Sequence, residues 1–392
     1  MQLVSSNVPA LDGPDNPYRQ LCLPALSSPV LFDTIVCIAT EHMLNFGLGS
    51  VSTAAQRQQR MLQTIGQNLR MLDTRAARET GRVASANTPD DEALLAAVVL
   101  QGVVVAQSEH GVLEPHVRCA SFLMETLDYF RQIPCSPLIR MTMQRFAMVD
   151  VMLAFSRQRR PYSPRSFILY QPDADRWDQT EPSFYKMTGC PQPLMCLLVR
   201  IAHLACDMEE RLQCAASTGD ILTHAHQVEN DLRLWGAQYT GMEPDPCTRP
   251  PLEILSECFY WTAHLLLARR VFRDATRSPR VQHLTHTCFA LMDQLFTGCG
   301  PDSSLPQPFY LAAREAVTVE DRAWVQQKHA AMTEYYREQQ RNMAMRLTEQ
   351  VWRVTDESHA SETHANDLLD SVESMADERI KALDRRACLF IF

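Results

Sequence analysis

One stretch of the chain is apolar on every side of a helix and limits the fold more than any other. Residues 93–106, ALLAAVVLQGVVVA, are 14 residues long and only Gln101 and Gly102 interrupt the apolar run. A membrane-spanning helix needs about 20 apolar residues, so this stretch is too short to cross a bilayer. A helix that is apolar all round is covered by other helices. We therefore predict a buried core helix that begins at Thr88 or Asp90, with acidic residues in its first turn.

The remaining segments carry apolar residues mostly on one side, at spacings of three, four and seven. In residues 53–73, for example, Met61, Ile65 and Leu69 share one face. Glycine is scarce, with 13 among 392 residues, and alternating β-branched runs are almost absent. We therefore predict an all-α fold, a large single helical domain of about ten or more antiparallel helices with one long Pro/aromatic-rich loop.

The long loop corresponds to residues 161–193, where the helical pattern stops. This segment is rich in proline, aromatic and acidic residues, and it is longer than an ordinary connection inside a compact domain. We expect Trp177, Phe184 and Tyr185 to pack across the helical body, near a helix that starts at Leu194.

A second informative stretch is LPQPFYLAAREAVTVEDRAWVQQKH, residues 305–329. Residues 309–316 predict a short buried helix, and Thr318 followed by Asp321 fits a capping box that starts the next helix at Val319. We expect Trp324 to be buried beside the short helix, so that this junction fixes the angle between two helices.

Apolar residues continue at helical spacing from Trp324 to Val351. This periodicity predicts one long helix with a single buried face. On that helix Glu338 and Arg341 are expected to stay exposed to solvent, while Tyr335 belongs to the apolar stripe.

Acidic and basic residues are interspersed along the chain, and the net charge is −9. Because binding to phosphates requires a basic face, we expect no direct specific nucleic-acid partner. The only compact basic cluster, Arg157, Arg159 and Arg160, closes a predicted helix, where the helix dipole favours cations; a nuclear-import or anion site is the alternative.

Thirteen cysteines are present without any Cys-x-x-Cys pair, and the closest two, Cys190 and Cys196, lie six residues apart. Most lie in apolar helical runs, as Cys37 and Cys206 do, where cysteine acts as a small hydrophobic residue. Residues 1–19 show neither the basic nor the apolar region of a secretory leader, so the sequence indicates a reducing, intracellular compartment.

No common catalytic motif is present: Gly-x-Ser-x-Gly, the P-loop, Gly-x-Gly-x-x-Gly and His-Glu-x-x-His are all missing, so we assign no catalytic residue. Residues 366–374, NDLLDSVES, resemble a terpene-cyclase magnesium motif, but the offsets do not fit. His224 and His226 point to different faces of a helix, whereas His283 and His286 share a face without a nearby acid or thiolate. We predict no metal site and no cofactor, and leave the cofactor-binding residues unassigned.

Seven helical segments of the chain occur in an order that is found in a known protein family. They are NPYRQLCLPALSSPVLFDTIVCIATEH, DDEALLAAVVLQGVVVAQSEHG, HVRCASFLMETL, MTGCPQPLMCLLVRIAHLA, YWTAHLLLARRVFR, LPQPFYLAAREAVTVEDRAWVQQKH and NMAMRLTEQVWR. In this order they resemble the fungal-specific transcription factor domain, the helical regulatory region that follows the DNA-binding module in fungal zinc-cluster regulators. The resemblance covers roughly residues 16–355.

The resemblance implies three parts: a short leader at 1–15, a helical regulatory domain at 16–355, and an acidic and polar tail at 356–392. The six-cysteine zinc cluster of the family is not in this sequence, whose first cysteine is Cys22. DNA reading is therefore not carried over.

The implied role is a transcription-regulator-like protein that binds another protein or a small metabolite, in control of a secondary-metabolite gene cluster. The expected partners are another transcription regulator or a second copy as a homodimer, with a small-molecule effector and no membrane. The expected location is the nucleus, with the cytoplasm as the alternative. An enzymatic role is disfavoured; the alternative function is a pathway protein that reuses the fold as a non-metal binding or cyclisation catalyst.

Overall fold

Helices follow one another along the whole described part of the chain. The structure, a computed structural model, describes residues 8–14, 16–78, 87–108, 112–131, 136–164, 183–239, 249–362 and 378–384. These ranges contain no strand, and the predicted all-α fold with more than ten helices is confirmed. The helices are α1 Pro17–Gln20, α2 Cys22–Ser27, α3 Pro29–Asn45, α4 Val51–Arg78, α5 Pro89–Gln107, α6 Glu114–Thr126, α7 Pro137–Arg157, α8 Phe184–Thr188, α9 Gln192–Gln213, α10 Gly219–Tyr239, α11 Pro251–Leu266, α12 Pro279–Asp293, α13 Pro306–Ala313, α14 Val319–Tyr336 and α15 Gln340–Glu362. A π-helical turn, Leu267–Phe272, continues α11, and a 3₁₀ turn, Pro301–Ser304, precedes α13.

Helix α5 is the predicted buried helix, and nearly all of its residues from Asp91 onward are buried. It contacts α3, α4, α6, α7 and α15. Its first turn is held by a capping box, in which Thr88 accepts from the backbone N–H of Asp91 and the Asp91 carboxylate accepts from the backbone N–H of Thr88. No helix in the described ranges is both long and apolar enough to cross a membrane.

The second half of the chain builds on α11, which contacts α9, α10, α12 and α13. Helix α9 also contacts α7, and α15 contacts both α13 and α5, so these helices join the two halves. The buried side chains of both halves form one continuous hydrophobic cluster. One continuous core is what a single helical domain requires.

The predicted junction at Thr318 is present. Thr318 caps α14 by accepting from the backbone N–H of Asp321 at 3.0 Å, and the helix begins at Val319. Its hydroxyl also donates to the Asp321 carboxylate at 2.6 Å. Trp324 lies beside Phe309 and Phe289, with ring centroids 6.0 Å and 4.7 Å away.

The expectation that Trp324 is buried holds only in part. Its ring is only partly buried, because the indole N–H donates to Asp293 at 3.0 Å near the surface. The tryptophan therefore fills the edge of the core, while Phe309 fills its interior.

The single long helix predicted after Val319 is also wrong. The chain turns at Arg337, which adopts a left-handed conformation with φ 55°, and this turn separates α14 from α15. As a result, the residues that are exposed to solvent after this turn differ from those predicted. Arg341 is 2% exposed and pairs with Glu338 at 2.6 Å, whereas Tyr335 is 53% exposed.

Part of the long loop packs on the body as expected. Phe184 at the start of α8 is fully buried, and α8 contacts α7. The backbone N–H groups of Ala10 and Leu11 donate to the carbonyls of Met187 and Lys186. Trp177 lies outside the described residues, so its predicted packing stays a prediction.

The C-terminal part of the chain returns to the body. Residues 378–384, called here the C-terminal segment, are helical. Ile380 packs with Val351 and Val354 of α15 in a small hydrophobic cluster separate from the main core, and Leu383 lies against it. Helix α15 itself continues past residue 355 to Glu362, and the domain boundaries placed at 16 and 355 remain predictions.

Candidate functional site

Several charged side chains surround a cavity between the two halves of the body. The cavity, called here the central pocket, has a volume of about 80 Å³, which is room for several water molecules. Side chains from α7, α9, the end of α11, α13, α15 and the C-terminal segment line it. Six cations and two carboxylates face it: Arg159, Arg269, Arg270, Arg273, Arg314 and Lys381, with Glu209 and Glu315.

Asp384 of the C-terminal segment lies at the cationic side of the pocket and is fully buried. Its carboxylate accepts from the Gln158 amide at 2.5 Å and from the Arg314 guanidinium. Arg270 lies 3.8 Å away, as an ion pair without a hydrogen bond. Among the described residues this distant carboxylate is the only polar partner of Arg270, whose side chain is 22% exposed.

The cations Arg269 and Arg273 have carboxylate partners on the body itself. Arg269 Nε donates to Glu315 Oε2 at 2.8 Å, and the Thr276 hydroxyl donates to the same oxygen at 2.9 Å. Arg273 Nη1 lies 3.4 Å from Glu209 Oε2. These two pairs do not depend on the C-terminal segment.

Lys381 brings a further cation from the C-terminal segment to Glu209, with Nζ 2.7 Å from both carboxylate oxygens. Burial by itself raises the pKa of Glu209, but the ammonium of Lys381 and the nearby Arg273 outweigh it, so the pKa is lowered. Glu209 therefore remains ionised and attracts the segment.

The arginines reach the pocket because the backbone of α11 changes pitch just before it. Residues Leu267–Phe272 form a π-helical turn, which ends at Arg273 in a left-handed conformation with φ 60°. Such turns are frequent at functional sites, since they displace side chains from the ordinary helical positions. Here the turn carries both Arg269 and Arg270, and burial lowers the pKa of Arg270, with Asp384 acting in the opposite direction.

A second buried aspartate, Asp150 of α7, lies on the same side of the body and is closed off from the pocket. It accepts from the backbone N–H groups of Tyr162 and Ser163 at 3.0 and 2.7 Å and from the Ser163 hydroxyl at 2.6 Å. Arg159 Nη1 also donates to the Asp150 carboxylate, at 3.2 Å. These partners explain why Arg159, although it lines the pocket, is already neutralised.

The opposite wall of the pocket is apolar and comes from α9, α11 and α13: it consists of Ala202, Ala205, Leu265, Leu266 and Leu311. Cys206 also lines the pocket, and burial raises the pKa of its thiol to about 11. The thiol therefore stays protonated at neutral pH, which makes it a weak nucleophile.

Of the residues singled out in the sequence, Arg159 and Cys206 line this pocket, and the histidines lie apart from it. His286 Nε2 lies 3.0 Å from Asp321, an acid supplied by α14 that the helix pattern of α12 could not reveal. His226 lies 3.5 Å from Glu229. No group of three or more potential metal ligands comes together within the described residues.

The basic cluster at the end of α7 forms internal ion pairs. Arg160 binds Asp207 and Glu210 at 2.6 and 2.8 Å, while Arg157 donates to the carbonyl of Asp384 at 3.1 Å. The cluster is thus engaged by internal partners at a helix C-terminus, and the alternative of a nuclear-import or anion site stays a prediction. Ten cysteines in the described ranges are free thiols.

Sequence reasoning did not find Arg270, Arg314 or Asp384. The pattern RRVFR and the tail acids were visible, but the pairing joins residues 70 and more positions apart. An arginine pair inside an otherwise apolar helix was the one signal that could have marked the site, because buried arginines need partners.

The chain was also compared with known proteins. A family model described as the fungal specific transcription factor domain matches residues 2–378, nearly the whole chain. The chain belongs to the fungal specific transcription factor domain family. No curated protein and no solved structure gave a match. Membership supports a transcription-regulator-like role for a body whose central cavity is lined by arginines.

Proposed function

We propose that this chain is the regulatory domain of a transcription regulator, controlled by a small-molecule effector that binds in the central pocket. Family membership supports the regulatory role. The observation that carries the effector site is Arg270: a guanidinium at the edge of a cavity, with one carboxylate 3.8 Å away and no hydrogen bond among the described residues. Buried or half-buried charges normally have close partners.

The position of the pocket suits a regulatory site. Helix α7 belongs to the first half of the chain and α9, α11, α13 and α15 to the second, and all of them contribute to its lining. A ligand there touches both halves of the body at once. It can therefore favour one arrangement of the halves over another, which is the requirement for allosteric control.

Within this proposal the protein acts through a partner, either another transcription regulator or a second copy of the chain, in the nucleus. It does not read DNA sequence itself, and its targets are genes of a secondary-metabolite cluster. The net charge of −9 supports the absence of direct DNA contact. The remaining parts rest on the family to which the chain belongs.

A catalytic role for the fold is less well supported. The pocket is lined by paired charges, small apolar residues and a cysteine whose thiol pKa is about 11. Nucleophilic catalysis requires a nucleophile activated by a base or by a lowered pKa. The pocket residues offer binding groups rather than such an arrangement.

A transcription reporter tests the proposal. The chain is fused to an unrelated DNA-binding module in a fungal cell, and Arg270→Met is compared with wild type at equal protein levels. We expect reporter output to change by about fivefold or more, the lower end of typical allosteric coupling. Arg200→Met is the matched control, because Arg200 forms a surface ion pair with Asp231 at 2.6 Å. Equal output from Arg270→Met and wild type would contradict the proposal.

A further inference from the structure

The C-terminal segment covers the pocket, and the carboxylate of its Asp384 lies against Arg314 and Arg270. We propose that the effector is a small organic carboxylate with an apolar body, and that it binds by displacing residues 378–384 and taking the place of Asp384. This inference rests on the proposed function and adds the chemical class of the effector and the way its access is controlled.

The first argument is charge. If the segment leaves, Arg269 keeps Glu315, Arg273 keeps Glu209 and Arg159 keeps Asp150. Arg270 and Arg314 lose the only carboxylate that either of them contacts in the described structure.

Arg270 and Arg314 would then be two guanidiniums with side-chain exposures of 22% and 7%, beside one another and without a counterion. Guanidinium groups bind carboxylates with paired, charge-assisted hydrogen bonds, which are strongest where water is largely excluded. A carboxylate from outside is therefore the natural replacement for Asp384.

The second argument is shape. Ile380 and Lys381 of the segment line the pocket, so their departure enlarges a cavity that now holds only about 80 Å³. The wall that remains is formed by alanine and leucine side chains of α9, α11 and α13. A carboxylate at the arginines would extend its other end along this wall, which favours an aliphatic or aromatic body.

The third argument is the way the segment is attached. Its apolar contacts form a small cluster of Val351, Val354 and Ile380 that is separate from the main core. Its ion pair between Arg379 and Glu357 is exposed on both sides. Exposed ion pairs contribute little. The segment is therefore held mainly by Lys381 on Glu209 and by the Asp384 carboxylate on Arg314, and an external carboxylate can replace the second of these contacts without disturbing the packing of the body.

Octanoate is a suitable probe, with its neutral analogue octanamide as the matched ligand. The full chain is titrated calorimetrically as wild type, Asp384→Asn, Arg270→Met and Asp356→Asn. Asp356 serves as the control because it also binds arginines, Arg322 at 2.6 Å and Arg277 at 3.5 Å, but away from the pocket.

We expect Asp384→Asn to lower the Kd of octanoate by about tenfold, because removing an internal competitor raises the fraction of binding-competent chains. Asp356→Asn should bind like wild type, and Arg270→Met should lose octanoate binding. Octanamide should bind weakly to all four proteins with no dependence on residue 384. Hydrogen exchange in residues 378–384 should rise when octanoate is added to wild type.

Two outcomes overturn the inference. In the first, octanoate binds wild type and Asp384→Asn with the same Kd and does not bind Arg270→Met. The pocket then binds anions, but the segment does not compete with them. If Arg270→Met leaves octanoate binding unchanged, the anion does not bind at the arginines. Neither result alters the reporter experiment, which depends on the pocket in the cell and not on octanoate, so failure of this inference and failure of the proposed function are separable.

Discussion

Asp150 and Asp384 are both fully buried and both bind arginine, yet their surroundings differ. The partners of Asp150 come from residues 159–163, only nine to thirteen positions away, and include two backbone N–H groups. The Asp384 carboxylate has the side chains of Gln158, Arg270 and Arg314 as its partners. These residues are at least 70 positions away, and their side chains lie beside a cavity.

The free-energy cost of losing a buried carboxylate depends on the groups that are left behind. Removing Asp150 leaves buried N–H groups that water cannot reach, since Ser163 is 2% exposed. Removing Asp384 leaves two guanidiniums next to a cavity that water can enter once the segment moves. The same pair of chemical groups therefore fixes a loop in one place and forms a removable contact in the other.

The largest effect is expected at the fixed site. Asp150→Ala should lower the free energy of unfolding by about 3–5 kcal/mol, because the backbone N–H groups of Tyr162 and Ser163 lose their acceptor and Arg159 loses one of its two carboxylate partners. Urea denaturation measures this, with Asp356→Ala as the control because Asp356 is 46% exposed. A loss equal to that of the control would show that the Asp150 site is not closed to water.

The next effect is smaller because one edge of the side chain reaches the surface. Trp324→Ala should cost about 2–3 kcal/mol, below the range for a fully buried aromatic residue. The indole contacts Phe289 and Phe309, so its removal leaves a cavity at the edge of the core. Tyr335→Ala is the control, since Tyr335 is 53% exposed. If both variants are equally stable, Trp324 does not contribute to the core.

The helices and the central pocket differ in how far they could be predicted from the sequence. Features set by neighbouring residues were predicted correctly: the start of α14 at Val319, the cap at Thr318 and the buried helix at residues 93–106. They follow from the spacing of apolar residues and from capping chemistry, which act within a few residues.

Features set by distant partners were missed. The apolar pattern that begins at Trp324 continues past Arg337, so it gives no sign that a helix ends there. The left-handed turn at Arg337, which ends α14, is favoured only by tertiary packing. Arg341 became buried because the turn brings Glu338 and Tyr336 around it. Likewise the central pocket depends on Asp384 meeting Arg314 across 70 residues, and no local pattern records such a meeting.

The cap at Thr318 is a hydrogen bond exposed to solvent, in contrast to the buried contacts of Asp150. Thr318→Ala should cost about 1 kcal/mol, since water can replace the lost hydrogen bond to the backbone N–H of Asp321. Ser278→Ala, which removes the equivalent cap of α12, should cost a similar amount. Chemical denaturation in which Thr318→Ala is costlier than Trp324→Ala would reverse the assigned order of the two contacts.

The contact at Asp384 should change stability less than the cap does. In full-length Asp384→Ala the free energy of unfolding of the body should change by less than about 1 kcal/mol, because a short segment opens locally without unfolding the rest. Hydrogen exchange by mass spectrometry should increase in residues 378–384 and stay unchanged in α7. Faster exchange throughout the body would mean that Asp384 supports the fold as Asp150 does.

The smallest effect concerns DNA, where we expect no specific binding at all. The basic cluster at the end of α7 is occupied by internal acids: Arg159 by Asp150 at 3.2 Å, and Arg160 by Asp207 at 2.6 Å. Arginines held in this way cannot neutralise phosphates without breaking those pairs, and the net charge of −9 opposes approach to DNA. Fluorescence anisotropy with labelled duplexes at physiological salt should therefore show only weak binding, with a Kd of about 10⁻⁴ M or higher, which added salt removes. Specific complexes have a Kd of about 10⁻⁸ M or lower. Such an affinity for one duplex over others would show that a basic face forms despite these internal pairs, and the Asp150 region would then be as open as the contact at Asp384.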